Sequence, residues 1–263
     1  MVEGLEALAQ MEYPGRVIII GQSTEAHNVV IYAITGRSAS SQARRLVADK
    51  EHGTIKVRPT DEQVLKTGNA NLLVYPSIRL DELNNIFVSN GIQTDLIYEV
   101  VHPGFDDADA PRNALELLMD AFSLPDLVED IDITAYEPDN PNFTPRISGV
   151  VYPNGENAAL FIVKRAEDDS AMRQFFEVPL IPGKGKMIAT YTGENVNPLP
   201  SFKGEPIDVS LPYAKVEEAV NAMYDAMAPK EGKPDFRVST AGVYVSKDKI
   251  VSMAVKNRHD GGN

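Results

Sequence analysis

Short apolar runs rich in β-branched residues recur along the chain, and polar connections separate them. Residues 17–20 and 28–34 predict a hairpin of two strands. Residues 54–58 alternate polar and apolar positions, which is typical of a half-exposed strand. Further strands are predicted at residues 71–75, 86–88, 146–151, 158–163, 175–178 and 186–191, and a closing hairpin at 242–245 and 250–255. So many short strands indicate antiparallel sheets.

Three segments have helical patterns instead. Residues 111–122 and 216–227 place their apolar positions at helical spacing, and Pro111 stands where a first turn would begin. Thr94 is a suitable N-cap for a helix over residues 95–101. Together with the strands, these helices predict an α+β fold in which helices cover the outer faces of antiparallel sheets.

Composition limits the class of protein. The chain has 263 residues, of which 43% are hydrophobic and 24% charged, as in ordinary globular proteins. No linker, long charge run or repeat divides it, so a single domain over residues 1–263 is expected. Cysteine is absent, which excludes disulfides, thiolate zinc sites and a cysteine nucleophile. Without a secretory signal or an apolar run long enough to cross a bilayer, we expect a soluble cytoplasmic protein.

The net charge of the chain narrows its expected partners. The formal value is −13 at pH 7, which disfavours binding to nucleic acid or to an anionic membrane surface. An anionic small molecule would therefore have to be held by a few arginines that the fold brings together. Assembly into a homo-oligomer is left open.

Five polar motifs stand between the apolar runs, where strands are expected to end. They comprise residues 35–38, Tyr75, 89–95, 136–146 and 191–198. Strand ends can hold a polar ligand without breaking the hydrogen-bond ladders of a sheet. The first motif continues through residues 39–45, and its hydroxyls and three arginines could surround a phosphate. The alternative is a helix capped by Ser40 or Ser41, with solvated arginines.

The other motifs also allow a functional and a structural interpretation. Tyr75 could donate to a developing oxyanion, or simply pack at the edge of the core. Residues 89–95 could present an amide and a carboxylate, or form a turn followed by a capped helix. Glu137 and Asp139 flank Pro138, and a carboxylate here, in a site lined by Tyr136 and Phe143, would have a raised pKa suited to proton transfer. The alternative is an exposed turn stiffened by proline.

Signatures of metal and cofactor binding are missing. The four histidines lack the spacing of metal ligands, and no His-Glu-x-x-His pattern occurs. The nearest approach to a phosphate-binding glycine loop is residues 182–186, but Met187 follows where Ser or Thr is needed. We therefore expect neither a metal ion nor an organic cofactor.

Taken in order, the motifs resemble those of the archaeal-type IMP cyclohydrolase family. They are Tyr13-Pro14-Gly15-Arg16, Arg37-Ser38, Tyr75, residues 89–95, Pro111-Arg112-Asn113-Ala114-Leu115, residues 136–147, Thr190-Tyr191 and Val196-Asn197-Pro198. The resemblance covers about residues 13–227 and leaves residues 229–263 as a C-terminal extension. The chain departs from the family at residues 39–42, which are Ala-Ser-Ser-Gln instead of Phe-Pro-Asn-Arg, and at Pro76, which replaces an asparagine.

This resemblance implies a fold and a reaction. The fold would be a four-layer αββα sandwich of two antiparallel sheets, similar to that of N-terminal-nucleophile hydrolases. Val2 follows Met1, so the Ser, Thr or Cys nucleophile of those hydrolases is absent and amide hydrolysis is disfavoured. The implied reaction closes 5-formamidoimidazole-4-carboxamide ribonucleotide to IMP with loss of water. The alternative is a noncatalytic purine-nucleotide-binding or regulatory protein on the same scaffold.

For that reaction we assign roles to nine residues. Glu137 is expected to transfer the proton, while Tyr75 and Arg37 stabilise the oxyanion. The expected contacts to the base or ribose are Asn90, Asp95 and Asn142, and those to the phosphate are Ser38, Arg44 and Arg146. The reaction itself requires no metal or cofactor.

Overall fold

We describe the fold from a computed structural model, which covers residues 4–61, 74–101, 114–122, 127–128, 131–152 and 157–261. In chain order its elements are α1 (Glu6–Gln10), β1 (Arg16–Gln22), β2 (Asn28–Thr35), α2 (Ala39–Gln42), β3 (Arg44–Asp49), β4 (Thr54–Pro59), β5 (Tyr75–Leu80), β6 (Ile86–Ser89), α3 (Gln93–Val101), α4 (Ala114–Ala121), β7 (Leu127–Val128), β8 (Ile131–Asp132), β9 (Arg146–Tyr152), β10 (Asn157–Arg165), β11 (Ala171–Val178), β12 (Lys184–Ala189), β13 (Ile207–Ser210), α5 (Val216–Ala226), β14 (Arg237–Val245), β15 (Val251–Asn257) and a 3₁₀ turn (Arg258–Gly261).

Two antiparallel sheets face each other. Within the described ranges, one has six strands in the order β13-β12-β1-β2-β14-β15, and the other has seven in the order β11-β10-β9-β6-β5-β4-β3. The short strands β7 and β8 pair separately. Because β1 packs against β9 and β10, and β2 against β6, the main apolar core lies between the sheets. The predicted α+β class with two antiparallel sheets is confirmed.

Alternation along the strands decides which core each side chain enters. In β10, Leu160 and Ile162 belong to the core between the sheets, whereas Phe161 and Val163 belong to a second core with α4. Both faces of this strand are buried, which explains its unbroken apolar sequence. On the other sheet, α5 packs against β14 and β15.

The predicted hairpins are confirmed by β1 with β2 and by β14 with β15. β14 also pairs with β2, with Thr35 opposite Arg237, and so lies between β2 and β15. The residues after 229, predicted to be an extension, therefore supply two strands of the six-stranded sheet. The predicted helix at 216–227 is confirmed as α5.

Tyr75 begins a strand instead of ending one. β5 runs from Tyr75 to Leu80, so the predicted end of the strand is wrong, and residues 71–73 lie outside the described residues. Pro76 fits near the start of β5 because the register with β4 shifts between Ile55 and Lys56. Such an irregularity is where a strand tolerates a residue without an N–H group.

The helix after β6 begins earlier than predicted. Because α3 starts at Gln93, Thr94 lies in its first turn and is not its N-cap. The Thr94 hydroxyl donates to the carbonyl of Gly91 and contacts the hydroxyl of Ser89. For the helix predicted at 111–122, α4 is described from Ala114, and residues 111–113 lie outside the described residues. None of the described helices is long and apolar enough to span a membrane.

The arginine motif forms a short helix. α2 has four residues and is capped by Ser38, whose hydroxyl accepts the amide of Ser41 at 3.2 Å, and not by Ser40 or Ser41. β3 follows directly, and its alternation buries Arg44 while Arg45 is exposed. Two neighbouring arginines thus lie on opposite faces of a sheet.

Asn257 joins the two sheets at one corner. Its side-chain oxygen accepts the amide of Leu46 at 2.8 Å, and its side-chain amide donates to the Leu46 carbonyl at 3.0 Å. We expect Asn257→Ala to lower the free energy of unfolding by about 1–3 kcal/mol, because both backbone groups of Leu46 lose their partner. Denaturant titration measures this, with Ser252→Ala on the same strand as the control. Equal stability of the two variants would contradict the role of Asn257.

Candidate active site

A cavity of about 340 Å³ lies where several strands end, as the positions of the polar motifs predicted. It is bounded by the starts of β1 and β3, the segment after β2, the loop before β9 and the segment after β12. The lining residues are Tyr13, Arg16, Arg37, Ser38, Ser40, Ser41, Arg44, Glu137, Asp139, Asn142, Thr144, Tyr191 and Leu199. Five of the nine predicted site residues are therefore in this lining: Arg37, Ser38, Arg44, Glu137 and Asn142.

Glu137 is the buried carboxyl group of the cavity, with 3% of its surface exposed. Its Oε1 lies 3.8 Å from Nη1 of Arg146, which is also buried. Arg16 and buried Arg44 line the same cavity, and half-buried Asp139 is the other acidic residue in the lining. Arginine charge thus exceeds carboxylate charge here. Among the described residues, no group of three His, Asp or Glu side chains lies together as a metal site requires.

The burial of these groups changes their pKa values. Burial raises the pKa of Glu137, and the charges of Arg16 and Arg146 oppose the increase. Burial lowers the pKa of Arg44, and the charge of Arg16 lowers it further. Burial also acts to lower the pKa of Arg16, but Glu137 and nearby tyrosines raise it overall. A carboxyl group with a raised pKa is suited to accept and return a proton near neutral pH.

Arg16 was not among the residues assigned from the sequence. Its Nε is enclosed and has no hydrogen-bond partner within the described part of the chain. Gly15 has a φ of 77°, and a side chain there would overlap the hydroxyl of Thr190, which accepts the Arg16 amide at 3.1 Å. Glycine therefore allows the close approach that holds Arg16 at the start of β1. The Gly-Arg pair within residues 13–16 was the available sequence indication.

A tight loop presents Glu137 and Asp139 on one wall of the cavity. The Glu137 amide donates to the carbonyl of Thr144 at 2.9 Å. The Asp139 carboxylate accepts both the amide and the hydroxyl of Thr144, each at 2.6 Å. The loop is therefore closed by its own backbone and by one acidic side chain, which leaves Glu137 facing the arginines.

Tyr136 and Phe143 do not form the expected aromatic lining. Their rings pack edge to face at 5.8 Å, and the Tyr136 hydroxyl donates to the carbonyl of Asp169 at 2.8 Å. The aromatic side of the cavity is formed by Tyr13 and Tyr191, whose stacked rings have centroids 5.9 Å apart. The expected aromatic surroundings of Glu137 are thus corrected, since Tyr136 and Phe143 pack in the neighbouring loop.

Arg37 lies at the mouth of the cavity and joins two loops. Its Nη1 donates to Oδ1 of Asn195 at 3.2 Å and to the carbonyl of Val196 at 2.9 Å. Its guanidinium carbon is 5.1 Å from the centroid of the Tyr13 ring. Arg37 therefore lies in the predicted region, but its Nη1 already binds the protein.

Ser38 and Asn142 also reach the cavity from their loops. The Ser38 hydroxyl is 3.1 Å from that of Ser40 and is exposed at the start of α2. Oδ1 of Asn142 accepts the amide of Leu199 at 3.1 Å. Both residues are therefore placed where a ligand could contact them, as the sequence suggested.

Tyr75 lies one layer behind the lining residues. It is 2% exposed, and its hydroxyl is 3.0 Å from that of Tyr32. Both phenols lie close enough to Arg16 and Arg44 to affect the pKa values of these arginines. Tyr75 is thus brought to the site, but it faces the arginines and is not part of the cavity wall.

Asn90 supports the site from within the protein. Its Nδ2 donates to the carbonyl of Pro145 at 2.9 Å, and its Oδ1 accepts the amide of Ile147 at 2.9 Å. Gln93 donates to the same Oδ1 and accepts Nη1 of Arg146 at 3.4 Å. Asn90 thus anchors this region, and Nη1 of Arg146 lies close to Glu137, so the predicted substrate contacts of Asn90 and Arg146 stay predictions.

Asp95 lies outside the cavity, on α3. Its carboxylate pairs with Arg79, whose guanidinium lies 3.5 Å from the centroid of the Tyr98 ring. Gln93 is fully buried two residues earlier, and two residues turn a helix by about 200°. Asp95 therefore lies on the other side of α3 from Gln93 and outside the cavity lining, and its predicted substrate contact stays a prediction.

The position of Asp95 outside the cavity leads to a prediction for its mutation. We expect Asp95→Asn to leave kcat/KM within about twofold of the wild type, because the pair with Arg79 is partly exposed and such pairs contribute little. Steady-state kinetics of ring closure measure the effect. A loss of tenfold or more in kcat/KM would show that Asp95 acts in the site.

Comparison with known proteins identifies the family. A family model described as "IMP cyclohydrolase-like protein" matches residues 13–249. An IMP cyclohydrolase of Methanothrix thermoacetophila is 31% identical over 188 residues, covering 71% of this chain and 78% of the relative. That of Methanocaldococcus jannaschii is 26% identical over 237 residues, covering 88% of this chain and 99% of the relative. That of Methanococcus aeolicus is 29% identical over 181 residues, covering 68% of this chain and 74% of the relative. Since the match extends from the segment before β1 through β14, this chain belongs to the IMP cyclohydrolase-like family.

Proposed function

We propose that this protein is an IMP cyclohydrolase, which closes 5-formamidoimidazole-4-carboxamide ribonucleotide to IMP with loss of water. The names of its relatives support this reaction. The observation that carries the proposal is the buried Glu137, whose pKa burial raises, beside the guanidiniums of Arg16 and Arg146. A proton acceptor next to fixed positive charges is what this ring closure requires.

The chemistry of the substrate defines what the protein must supply. The carboxamide nitrogen bonds to the formyl carbon and loses a proton, while the formyl oxygen becomes an alkoxide and then a hydroxyl. The carbon–oxygen bond then breaks, the formamido nitrogen loses its proton, and the oxygen leaves as water. Because both groups are attached to one ring, their effective concentration can reach about 10⁵ M or more. Proton transfer and stabilisation of the oxyanion remain for the protein.

Glu137 would take the carboxamide proton and return it to the departing oxygen. Arg16 would stabilise the oxyanion, a contribution of about 3 kcal/mol for a well-placed donor. Arg16 takes the role first assigned to Arg37, because Arg37 is bound to Asn195 and Val196 at the mouth. Tyr75 would act without touching the substrate, because its interaction with Arg16 raises the pKa of that arginine.

The balance of charge supports a phosphate-bearing ligand. Arg16, Arg44 and Arg146 outnumber Glu137 and Asp139, and buried charge requires compensation. A nucleotide phosphate would supply the missing negative charge. Arg44 and Ser38 are the residues that we propose hold it, while Asn142 contacts the base or ribose.

Further proposals concern the architecture. We propose the four-layer αββα arrangement of N-terminal-nucleophile hydrolases, supported by α3 and α4 against one sheet and α5 against the other. We also propose that residues 1–263 form one domain, supported by the pairing of β14 with β2. A cytoplasmic location and assembly into homo-oligomers stay predictions.

One assay tests the function. Purified protein is mixed with the formylated ribonucleotide, and ring closure is followed by absorbance in the presence and absence of EDTA. We expect IMP to form at the same rate in both, because no step proposed here uses a metal ion. Tight binding of IMP without turnover would contradict the enzyme and favour the noncatalytic nucleotide-binding alternative.

A further inference from the structure

Three polar groups form a hydrogen-bonded chain that ends at the cavity. Oδ1 of Asp139 accepts the amide of Thr144 at 2.6 Å, and Oδ2 accepts the Thr144 hydroxyl, also at 2.6 Å. The Thr144 hydroxyl oxygen is in turn 2.7 Å from the hydroxyl of Tyr191. All three residues line the cavity.

The chemistry of these groups fixes the direction of each hydrogen bond. A carboxylate only accepts, so the single hydroxyl proton of Thr144 is used in the bond to Asp139. Thr144 can therefore contribute only a lone pair to its contact with Tyr191. It follows that Tyr191 donates its proton to Thr144, and a ligand reaching this hydroxyl meets an oxygen lone pair.

We propose that Tyr191 is a hydrogen-bond acceptor in the binding site, and that it selects nucleotides which present an N–H or O–H donor to it. Asp139 and Thr144 are the positioning residues that set this polarity. The inference rests on the proposed function, since it assumes that a purine nucleotide occupies the cavity.

The surroundings of Tyr191 hold this arrangement in place. Its ring is 2% exposed and stacks on Tyr13, which packs edge to face against Phe236 at 5.3 Å. Burial raises the pKa of Tyr191 to about 12, so the phenol keeps its proton at neutral pH. A fixed acceptor in a buried site penalises a ligand that offers no donor, since the acceptor oxygen is then left without a hydrogen-bond partner.

A purine mononucleotide has donors of two kinds that could meet Tyr191. IMP carries a ring N1–H, the nitrogen that the carboxamide contributes in the proposed reaction, and it also carries ribose hydroxyls. Purine riboside 5′-monophosphate lacks the N1–H, whereas 2′-deoxy-IMP and 3′-deoxy-IMP each lack one hydroxyl. Comparing these ligands distinguishes the two sources of the donor.

The test measures the binding of IMP and the three analogues by calorimetry to the wild type and to Tyr191→Phe. We expect one analogue to bind the wild type about tenfold or more weakly than IMP, and to lose that difference in Tyr191→Phe. The same difference in both proteins for every analogue would overturn the inference. Thermal unfolding of each variant checks that the fold is retained.

A second variant tests the polarity without removing the phenol. In Asp139→Asn, the new amide group can donate to the Thr144 oxygen, which frees the Thr144 proton to bond to Tyr191. Tyr191 can then donate to the ligand. For the analogue that binds the wild type more weakly than IMP, we therefore expect the difference in affinity from IMP to shrink or reverse. A purely structural role of Asp139 would instead weaken all four ligands by the same factor, and that result would overturn the inference.

Turnover separates this inference from the proposed function. If the wild type forms IMP but the binding pattern is insensitive to both variants, only the role of Tyr191 fails. If the wild type binds IMP with the expected pattern but forms none from the precursor, the enzymatic function fails and the role of Tyr191 stands. Absence of IMP binding would overturn both.

Discussion

Glu137→Gln is expected to lower kcat by about 10²- to 10⁴-fold, the usual contribution of a general acid–base group. The amide retains the volume of the side chain but cannot take the carboxamide proton. KM should stay unchanged or fall, because removal of the negative charge of Glu137 leaves the charge of nearby Arg44 less offset for binding the phosphate. The absorbance change on ring closure gives both constants.

The dependence of wild-type activity on pH should reflect the ionisation of Glu137. Because burial raises the pKa of Glu137, the loss of activity on the acid side should occur at a higher pH than for an ordinary glutamate. Below that pKa the group is protonated and cannot accept a proton, so activity falls as pH falls. Glu177→Gln, at an exposed position of β11, is the matched control and should keep the wild-type profile. A kcat for Glu137→Gln within twofold of the wild type would remove Glu137 from the chemistry.

Arg16→Met is expected to lower kcat/KM by about 10²-fold or more. Removing one of two interacting buried charges commonly costs about 2–5 kcal/mol, and the charge of Arg16 is the largest one that acts on buried Glu137. The acid side of the pH profile should also move to higher pH, because Arg16 is the main charge that opposes the effect of burial on the pKa of Glu137. Kinetics measured from acidic to basic pH give both effects.

Two variants control this experiment. Arg79→Met removes an arginine that pairs with Asp95 outside the cavity, so activity should stay near the wild-type value. Arg16→Lys keeps the positive charge but loses the planar guanidinium group. We therefore expect its pH profile to return toward that of the wild type, while kcat/KM stays reduced. Wild-type kinetics and an unchanged pH profile for Arg16→Met would contradict the role of Arg16. Circular dichroism confirms folding of each variant.

Elements whose identity depends on local pattern were predictable. The β-branched runs of β1 and β2 and the helical spacing of α5 required only the periodicity of apolar residues. Their ends were less predictable: Tyr75 begins β5, and α3 begins before Thr94. Both errors concern residues whose backbone hydrogen bonds depend on the neighbouring strand or turn, which the local sequence does not specify.

The order of the motifs along the chain also identified the family and located the cavity at strand ends. Glu137, Arg37, Ser38, Arg44 and Asn142 were selected from sequence and lie in its lining. Residue type and position relative to a strand were enough for this selection, because strand ends carry the loops of this fold.

The direction of each side chain was decided by the tertiary structure. Strand alternation buries Arg44 and exposes Arg45, and the turn of α3 sends Asp95 away from Gln93. A shift of one residue in register reverses such an assignment, and register is set by packing between the two sheets. The sequence by itself therefore determined the elements, the family and the chemical groups available. Only the folded chain decided which of those groups meet, because one cavity brings together Arg16, Glu137 and Tyr191 from distant segments of the chain.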